Sequence, residues 1–527
     1  MTLMISGENE AGSARQVGFW SVGLLGLLAL LAVVVPGSLA LCYSRFYPIH
    51  HDLAGIVLSS RLAAVLGDAF DTYSLYFPPA ERAWYGLAVG FSELVGIRLD
   101  LAAILITAGA VLFSAGLAFH IRRQTVGASG LFLVVSCILL ALLPILFKNI
   151  FGLREHMVIL GLWPYVVLRA SDPEGHRVGW RTRAVVGLWL GAALLLKYFY
   201  SLVVLLVELA DAGMQRRPAA LVRIENVIAG GIVALYLFFW LVIDPAQRAA
   251  ISVMLSGIEG NLNEPFINLV LAAQQLVPAL VFLMLARIKR LPARSSALGL
   301  AMVAGAIVAA WIQGRWYSHH LFPITMAYLA WAWLLGRDLG AIWLIALALL
   351  AALPIRGQFH STARYQDEVR EADLAMERAG LSLAGKRVGL LNMHPSPFNQ
   401  YFAAVGALRW NVTMNNAYVA AELKPFDRPG VGTSAPIEVK LNVPGRRQLH
   451  DDMLRFWEDR PPDALILDES TSWPLEHIKV RWTDVFAQDS RFKSFLADYR
   501  PVFTHSGKAL RFTYYERIEP VRQSSPN

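Results

Sequence analysis

The stretch FKNIFGLREHMVIL, residues 147–160, holds Lys148, Arg154, Glu155 and His156 between two nearly uncharged apolar runs. Three more polar knots sit in similar surroundings: HHDLAG with His50, His51 and Asp52, KYFYS beginning at Lys197, and IQGRWYSHHLFP with Gln313, Arg315, Trp316, Tyr317, His319 and His320. Lys148, Arg154, Lys197 and Arg315, with His156, His319 and His320, form a donor-rich set that suits a phosphate or diphosphate. Charge-assisted bonds to phosphate oxygens are strong, and the arginine fork matches their geometry. The aromatics Trp163, Tyr198, Phe199, Tyr200, Trp316 and Tyr317 can stack on sugar rings or isoprenoid tails, and His51 can serve a hydroxyl. Asp52 is placed to take a proton from an incoming hydroxyl. Asp68, Asp71, Glu81 and Glu93 follow in the same segment, with Asp71 and Glu81 the main rivals for that role. The chemistry these side chains describe is transfer of a group from a lipid phosphate to an acceptor.

Positioning such residues falls to membrane helices. The chain has 527 residues, 56% hydrophobic and only 16% charged, with mean hydropathy +0.47. That much apolar surface does not fit inside one soluble core. Runs near the length needed to cross a bilayer, about 20 residues, are expected at 17–41, 100–119, 129–147, 155–169, 184–199, 200–213, 226–243, 266–286, 296–313, 320–336 and 339–354. They give about eleven crossings. The first run is long and lacks a small-x-small cleavage site, so it reads as a retained helix rather than a signal peptide. With the N-terminus inside, Arg15, Arg122 with Arg123, the cluster from Arg169 to Arg183, Arg216 to Arg223, Arg287 to Arg294, and Arg337 all fall on the cytoplasmic side, the alternation that topology requires. Segment 184–213 reads as a hairpin turning at KYFYS. A single crossing there would send one of its two arginine-rich ends outside and leave Lys197 near mid-bilayer, at a cost of at least about 2–3 kcal/mol.

Residues 1–354 are therefore expected to form a polytopic α-helical membrane domain with a long first external loop at 42–99, and residues 355–527 an external α/β domain. In that tail GKRVGLLNM, PDALILDES and RFTYYER read as strands, and RYQDEVREADLAMERAG as an amphipathic helix ending at Gly380. The two cysteines, Cys42 and Cys137, lie in or beside the apolar runs, so the tail carries no disulfide, which suits a periplasm. The net charge of +8 is accounted for by the inner loops and does not indicate nucleic-acid binding. All four polar knots share the outer face, a convergence typical of an active site at the membrane surface.

The layout is similar to the GT-C superfamily of integral-membrane glycosyltransferases, in its many spans, an aspartate early in the first external loop, and a C-terminal external α/β domain. FGLREHMVILGLWPYVVL with GRWYSHHLFP also resembles motifs of uncharacterised bacterial members. The resemblance implies a polyprenyl-phosphate-linked monosaccharide as donor and a glycan, lipid or protein acceptor of the cell envelope. It implies an inverting displacement with an aspartate base, Asp52 by its place after helix one, and a bacterial inner-membrane location. Some members use a divalent cation. His50, His51 and Asp52 invite one, yet adjacent histidines do not share a helix face, and no HExxH or cysteine pairing supports zinc.

Simpler roles stand beside these. Arg154 and Glu155 can pair with each other at a helix end, while Lys148, Lys197, Trp316 and Tyr317 can be interfacial anchors. Glu208 and Asp211 read as interfacial charges, NVT at Asn411 as a chance glycosylation sequon, and HPSPFNQYF and LRWNVTMNN as either glycan-binding or packing segments. A lipid-linked glycan ligase, polymerase or flippase fits the cationic outer face as well. A secondary transporter fits less, since its polar groups gather near the midplane.

Overall fold

The computed structural model describes residues 49–67, 78–128, 130–146, 150–243, 265–288, 292–313, 318–335, 359–391, 398–411, 444–468, 489–507 and 510–518. The chain is mostly helical with a small C-terminal sheet. The first loop is built from α1 (His51–Leu66) and α2 (Pro79–Val95), which pack on one another. The bundle follows with α3 (Leu99–Thr125), α4 (Gly130–Leu146), α5 (Arg154–Ser171), α6 (Trp180–Leu196), α7 (Ser201–Gln215), α8 (Ile224–Phe238), α9 (Pro265–Ile288), α10 (Ala293–Gln313) and α11 (Ser318–Leu335). Among the described residues, three stretches are long and apolar enough to cross a membrane: Leu99–Thr125, Tyr198–Gln215 and Ala293–Gln313. Gly130–Ile145, Ile224–Phe238 and Leu269–Met284 are shorter apolar helices. Every apolar run expected within the described residues is helical, and the runs at 17–41 and 339–354 lie outside them.

The bundle closes on small residues, as helices do where backbones must approach without a hydrophobic drive between them. A Cβ on Gly187 of α6 would stand 2.7 Å from the Glu225 carbonyl of α8, and one on Gly305 of α10 would stand 2.6 Å from Val203 Cα of α7. The KYFYS turn is present as expected: α6 ends at Leu196, Tyr198–Tyr200 form one 3-10 turn, and α7 starts at Ser201. The chain reverses there, as Arg183 near the start of α6 and Glu208 midway along α7 enter one ion-pair network away from the turn.

The C-terminal part comprises α12 (Phe359–Arg378), β1 (Arg387–Leu391), α13 (Phe398–Val405), β2 (Leu408–Arg409), α14 (Pro444–Asp459), β3 (Ala464–Asp468), α15 (Ser490–Ala497), β4 (Tyr499–Ser506) and β5 (Arg511–Arg517). The five-stranded sheet runs β2-β1-β3-β5-β4. β1 is parallel to β2 and β3, while β5 is antiparallel to both β3 and β4. The three expected strands are found at β1, β3 and β5. Strand β4 was not foreseen because its side chains are mostly exposed and carry no apolar alternation. Phe398, Tyr401, Phe402 and Trp410 are buried, so the described aromatics of both segments pack. Asn411 is also buried; its Oδ1 accepts the Leu390 N–H and its Nδ2 donates to the Leu390 carbonyl, both at 2.7 Å. That side chain is structural, and the Asn411 amide is not exposed for glycosylation.

Candidate functional site

The FGLREH motif is a tight turn followed by a helix start. Leu153 N–H donates to the Ile150 carbonyl at 2.9 Å, and Gly152 has φ +84°, a conformation that favours glycine. A Cβ there would meet Thr107 Oγ1 at 2.8 Å and Leu53 Cδ2 at 2.9 Å, so the turn sits directly against α3 and α1. Tyr85 Oη of α2 donates to the Gly152 carbonyl at 2.8 Å. His156 is fully buried; its Nδ1 accepts the Gly152 N–H at 3.0 Å. That assigns the proton to Nε2, which donates to the Leu140 carbonyl at 2.7 Å. Both ring nitrogens are engaged by backbone, so the phosphate contact expected of His156 is replaced by a structural one: it locks the turn that projects its neighbours.

Those neighbours diverge. Arg154 Nη1 bonds Glu81 of α2 at 2.9 and 3.2 Å to the two carboxylate oxygens. Glu155 Oε1 lies 3.1 Å from Lys197 Nζ and 3.6 Å from His320 Nε2. The two do not pair with each other. Lys197 also donates to Gln313 Oε1 at the end of α10, 2.7 Å away. Glu81 is buried, and both of its carboxylate oxygens accept from Arg154. Arg154 keeps 28% of its side chain exposed, and its Nε is buried with no hydrogen-bond partner among the described residues.

Asp52 stands in the first turn of α1, where the positive end of the helix dipole favours a carboxylate. His50 is the N-cap, its Nδ1 accepting the Asp52 N–H at 3.1 Å. Because His50 lies outside the helix and His51 begins it, the two rings stack at 4.0 Å. They bracket Asp52, with His50 Nδ1 3.6 Å from Oδ2 and His51 Nε2 3.5 Å from Oδ1. The expectation that these adjacent histidines do not share a face is thereby corrected, since only one of them is in the helix. His50 meets the edge of the His319 ring at 6.3 Å, and His319 meets His320 at 4.3 Å. A continuous polar line thus runs from Asp52 through His50, His319 and His320 to Glu155 and Lys197. Burial alone would raise the Asp52 carboxyl; the fields of His51, His50, His319 and Arg154 outweigh it and hold it well below the usual carboxylate range.

Asp52, His51, Arg154, Lys197, His319 and His320 are therefore brought together. Tyr200 is buried next to this line, within the field of Glu155, while Tyr198 packs at a tilt on Phe199 at 4.3 Å and edge-to-face with Trp240 at 6.0 Å. Trp163 donates to Ser136 and packs on Phe132 and Trp333, away from the site. Asp71, Lys148, Arg315, Trp316 and Tyr317 lie outside the described residues. The surplus of positive charge anticipated for the pocket is not seen among the described residues, since Arg154 and Lys197 face Glu81 and Glu155. Glu155 and His50 are members without a catalytic or donor-binding role in the sequence reading, where His50 is considered only for a cation and Glu155 only as a partner of Arg154. Glu155 sat in the quoted motif, but its partner is 42 residues further along.

Two groups of three, His50 with His51 and Asp52, and Glu155 with His319 and His320, each bring their donor atoms within 4.8 Å of one another. Two imidazoles and a carboxylate are a donor set that a zinc-class ion accepts. An ion on the second group would have to share Glu155 with Lys197.

The opposite end of the bundle carries a second, buried set of charges. Arg169 at the end of α5 bonds Glu208 of α7 and lies 2.6 Å from Glu225 of α8. Arg183 bonds Asp172 and, at 2.7 Å, Glu225. Asp211 is held by Arg223 at 2.9 Å and Arg294 at 2.7 Å. Glu208 and Asp211 are thus interior staples rather than interfacial charges, joining α5, α6, α7, α8 and α10. No family model and no curated protein matches the chain.

Proposed function

We propose that this chain is an integral-membrane glycosyltransferase of GT-C type that moves a monosaccharide from a polyprenyl-phosphate carrier to an envelope glycan, lipid or protein at the outer face of the membrane. The observation that carries the reading is Arg154: half-committed to Glu81, with Nε buried and without a hydrogen-bond partner among the described residues, and close enough to Asp52 to act on its charge. An anion-binding group beside a partly exposed, ionised carboxylate is what transfer from a lipid phosphate needs.

In this reading Asp52 takes the proton of the acceptor hydroxyl as its oxygen attacks the anomeric carbon from the side opposite the phosphate. The bond from that carbon to the phosphate oxygen breaks, and its electron pair leaves on the phosphate, inverting the sugar. Arg154 and Lys197 meet the charge that grows there, where preformed donors contribute most. His50 and His51 keep Asp52 ionised and aimed. The chain crosses the membrane about eleven times, its N-terminus cytoplasmic and its C-terminal domain periplasmic. The buried network around Arg169 then marks the inner end of the bundle.

The test is transfer of a labelled sugar from a polyprenyl phosphate by the purified protein. The reading expects turnover in the wild type and its loss in Asp52→Asn, with polyprenyl-phosphate binding retained. Unchanged turnover in Asp52→Asn removes Asp52 as the base.

A further inference from the structure

We infer that the C-terminal domain is the support that sets the position of Asp52, with Gln400 as the positioning residue, an inference that rests on Asp52 being the base. Three polar contacts join the domain to α1. Gln400, buried on α13, donates from Nε2 to the Ile49 carbonyl at 2.5 Å. Further along, Arg409 Nη2 donates to Ser59 Oγ and Arg61 Nη1 to the Gly406 carbonyl, each at 3.2 Å. Gly55 permits the close approach, for a Cβ there would stand 3.0 Å from Asn399 Nδ2. α13 is itself fixed to α12 by Tyr401 Oη donating to Asp373 Oδ1.

The Ile49 carbonyl precedes α1, whose own ladder begins with Ala54 N–H donating to the His50 carbonyl at 2.9 Å. The helix cannot satisfy that buried oxygen, and Gln400 does. It thereby fixes where the chain enters α1, and the next three residues are His50, His51 and Asp52. Since His50 Nδ1 holds the Asp52 N–H, a shift at Ile49 carries the carboxylate with it, and displacements of about 1 Å can cost roughly a hundredfold in rate. Arg409 is buried against α1 with the neutral partners Asn399 and Ser59, so among the described residues this interface holds a guanidinium without a carboxylate, a choice that stability alone does not favour.

Gln400→Met in the full-length protein keeps the volume and removes the donor; Gln400→Glu keeps the shape and also lacks the N–H. Hydrogen exchange of the backbone amides from Asp52 to Leu58 should be about tenfold faster in both, an opening cost lower by about 1.4 kcal/mol, with exchange in β3 unchanged. With a polyprenyl-phosphate-linked hexose as probe, kcat should fall by about tenfold while polyprenyl-phosphate binding stays as in the wild type, a split that a purely structural role would not produce. Unchanged exchange overturns the inference, as does faster exchange with undiminished kcat. A wild type that transfers no sugar removes the transferase reading instead, and the exchange result still decides whether Gln400 sets the entry to α1.

Discussion

Arg154 Nη1 and Glu81 Oε1 lie 2.9 Å apart across 73 residues of chain, tying the first turn of α5 to the first turn of α2. This bond ties the first loop to the FGLREH turn through Nη1 alone, and under the proposed function the other guanidinium nitrogens would meet the lipid phosphate. Removing the arginine therefore has two effects. Arg154→Gln should weaken polyprenyl-phosphate binding by about tenfold or more, the value of a charge-assisted bond. It should also lower the thermal unfolding midpoint, because the buried Glu81 loses its partner. Arg154→Gln combined with Glu81→Gln should recover stability without recovering binding. Normal binding in either variant contradicts the phosphate role.

The pH behaviour of Asp52 follows from its neighbours. Its carboxyl is held low by His51, His50, His319 and Arg154 against the upward push of burial. A lowered carboxyl contributes stability that is present above the unfolded value of about 3.9 and is lost as the pH falls through the folded value. The acid limb of kcat/KM that belongs to Asp52 should accordingly lie below the ordinary carboxylate range. His51→Gln removes one of the fields and should move that limb toward higher pH. A limb that stays in place would show that His51 does not act on Asp52.

Gly152→Ala asks the backbone for φ +84° with a side chain and drives a Cβ into Thr107 and Leu53. The cost should be about 1–3 kcal/mol, read as a lower unfolding midpoint, with turnover reduced because the turn that projects Arg154 and Glu155 is displaced. A midpoint equal to the wild type would mean the turn is not held as described.

Arg169 is 1% exposed and serves both Glu208 and Glu225. Arg169→Met should cost about 3–5 kcal/mol, because it leaves two buried carboxylates short of their cation. Adding Glu208→Gln should restore part of it. Equal midpoints for wild type and Arg169→Met would show that the network does not hold this end of the bundle together.

Much of the architecture was legible because it is local. Apolar runs of helical length announced α3 to α11, the cation in KYFYS announced the reversal at Lys197, and short apolar runs between turn residues announced β1, β3 and β5. The pairings were not legible, because they depend on which helices are neighbours. Arg154 was read with Glu155, the residue beside it, yet helix geometry turns adjacent side chains to different faces, and each finds its partner on another element. The same holds for Arg169 with Glu225 and for Gln400 with Ile49, where no periodicity or spacing connects the two residues. His156 looks like a ligand because it stands two residues from Arg154, but two residues are just over half a turn of helix, which takes it to the opposite face and into the core.

The most direct test of the central claim is a structure by electron cryo-microscopy of the purified protein with added polyprenyl phosphate. The account predicts phosphate density within hydrogen-bond reach of Arg154 and Lys197, near Asp52, with the apolar tail lying in a groove between helices. No lipid at that place, together with a water-filled path through the bundle, would contradict it and indicate a transporter.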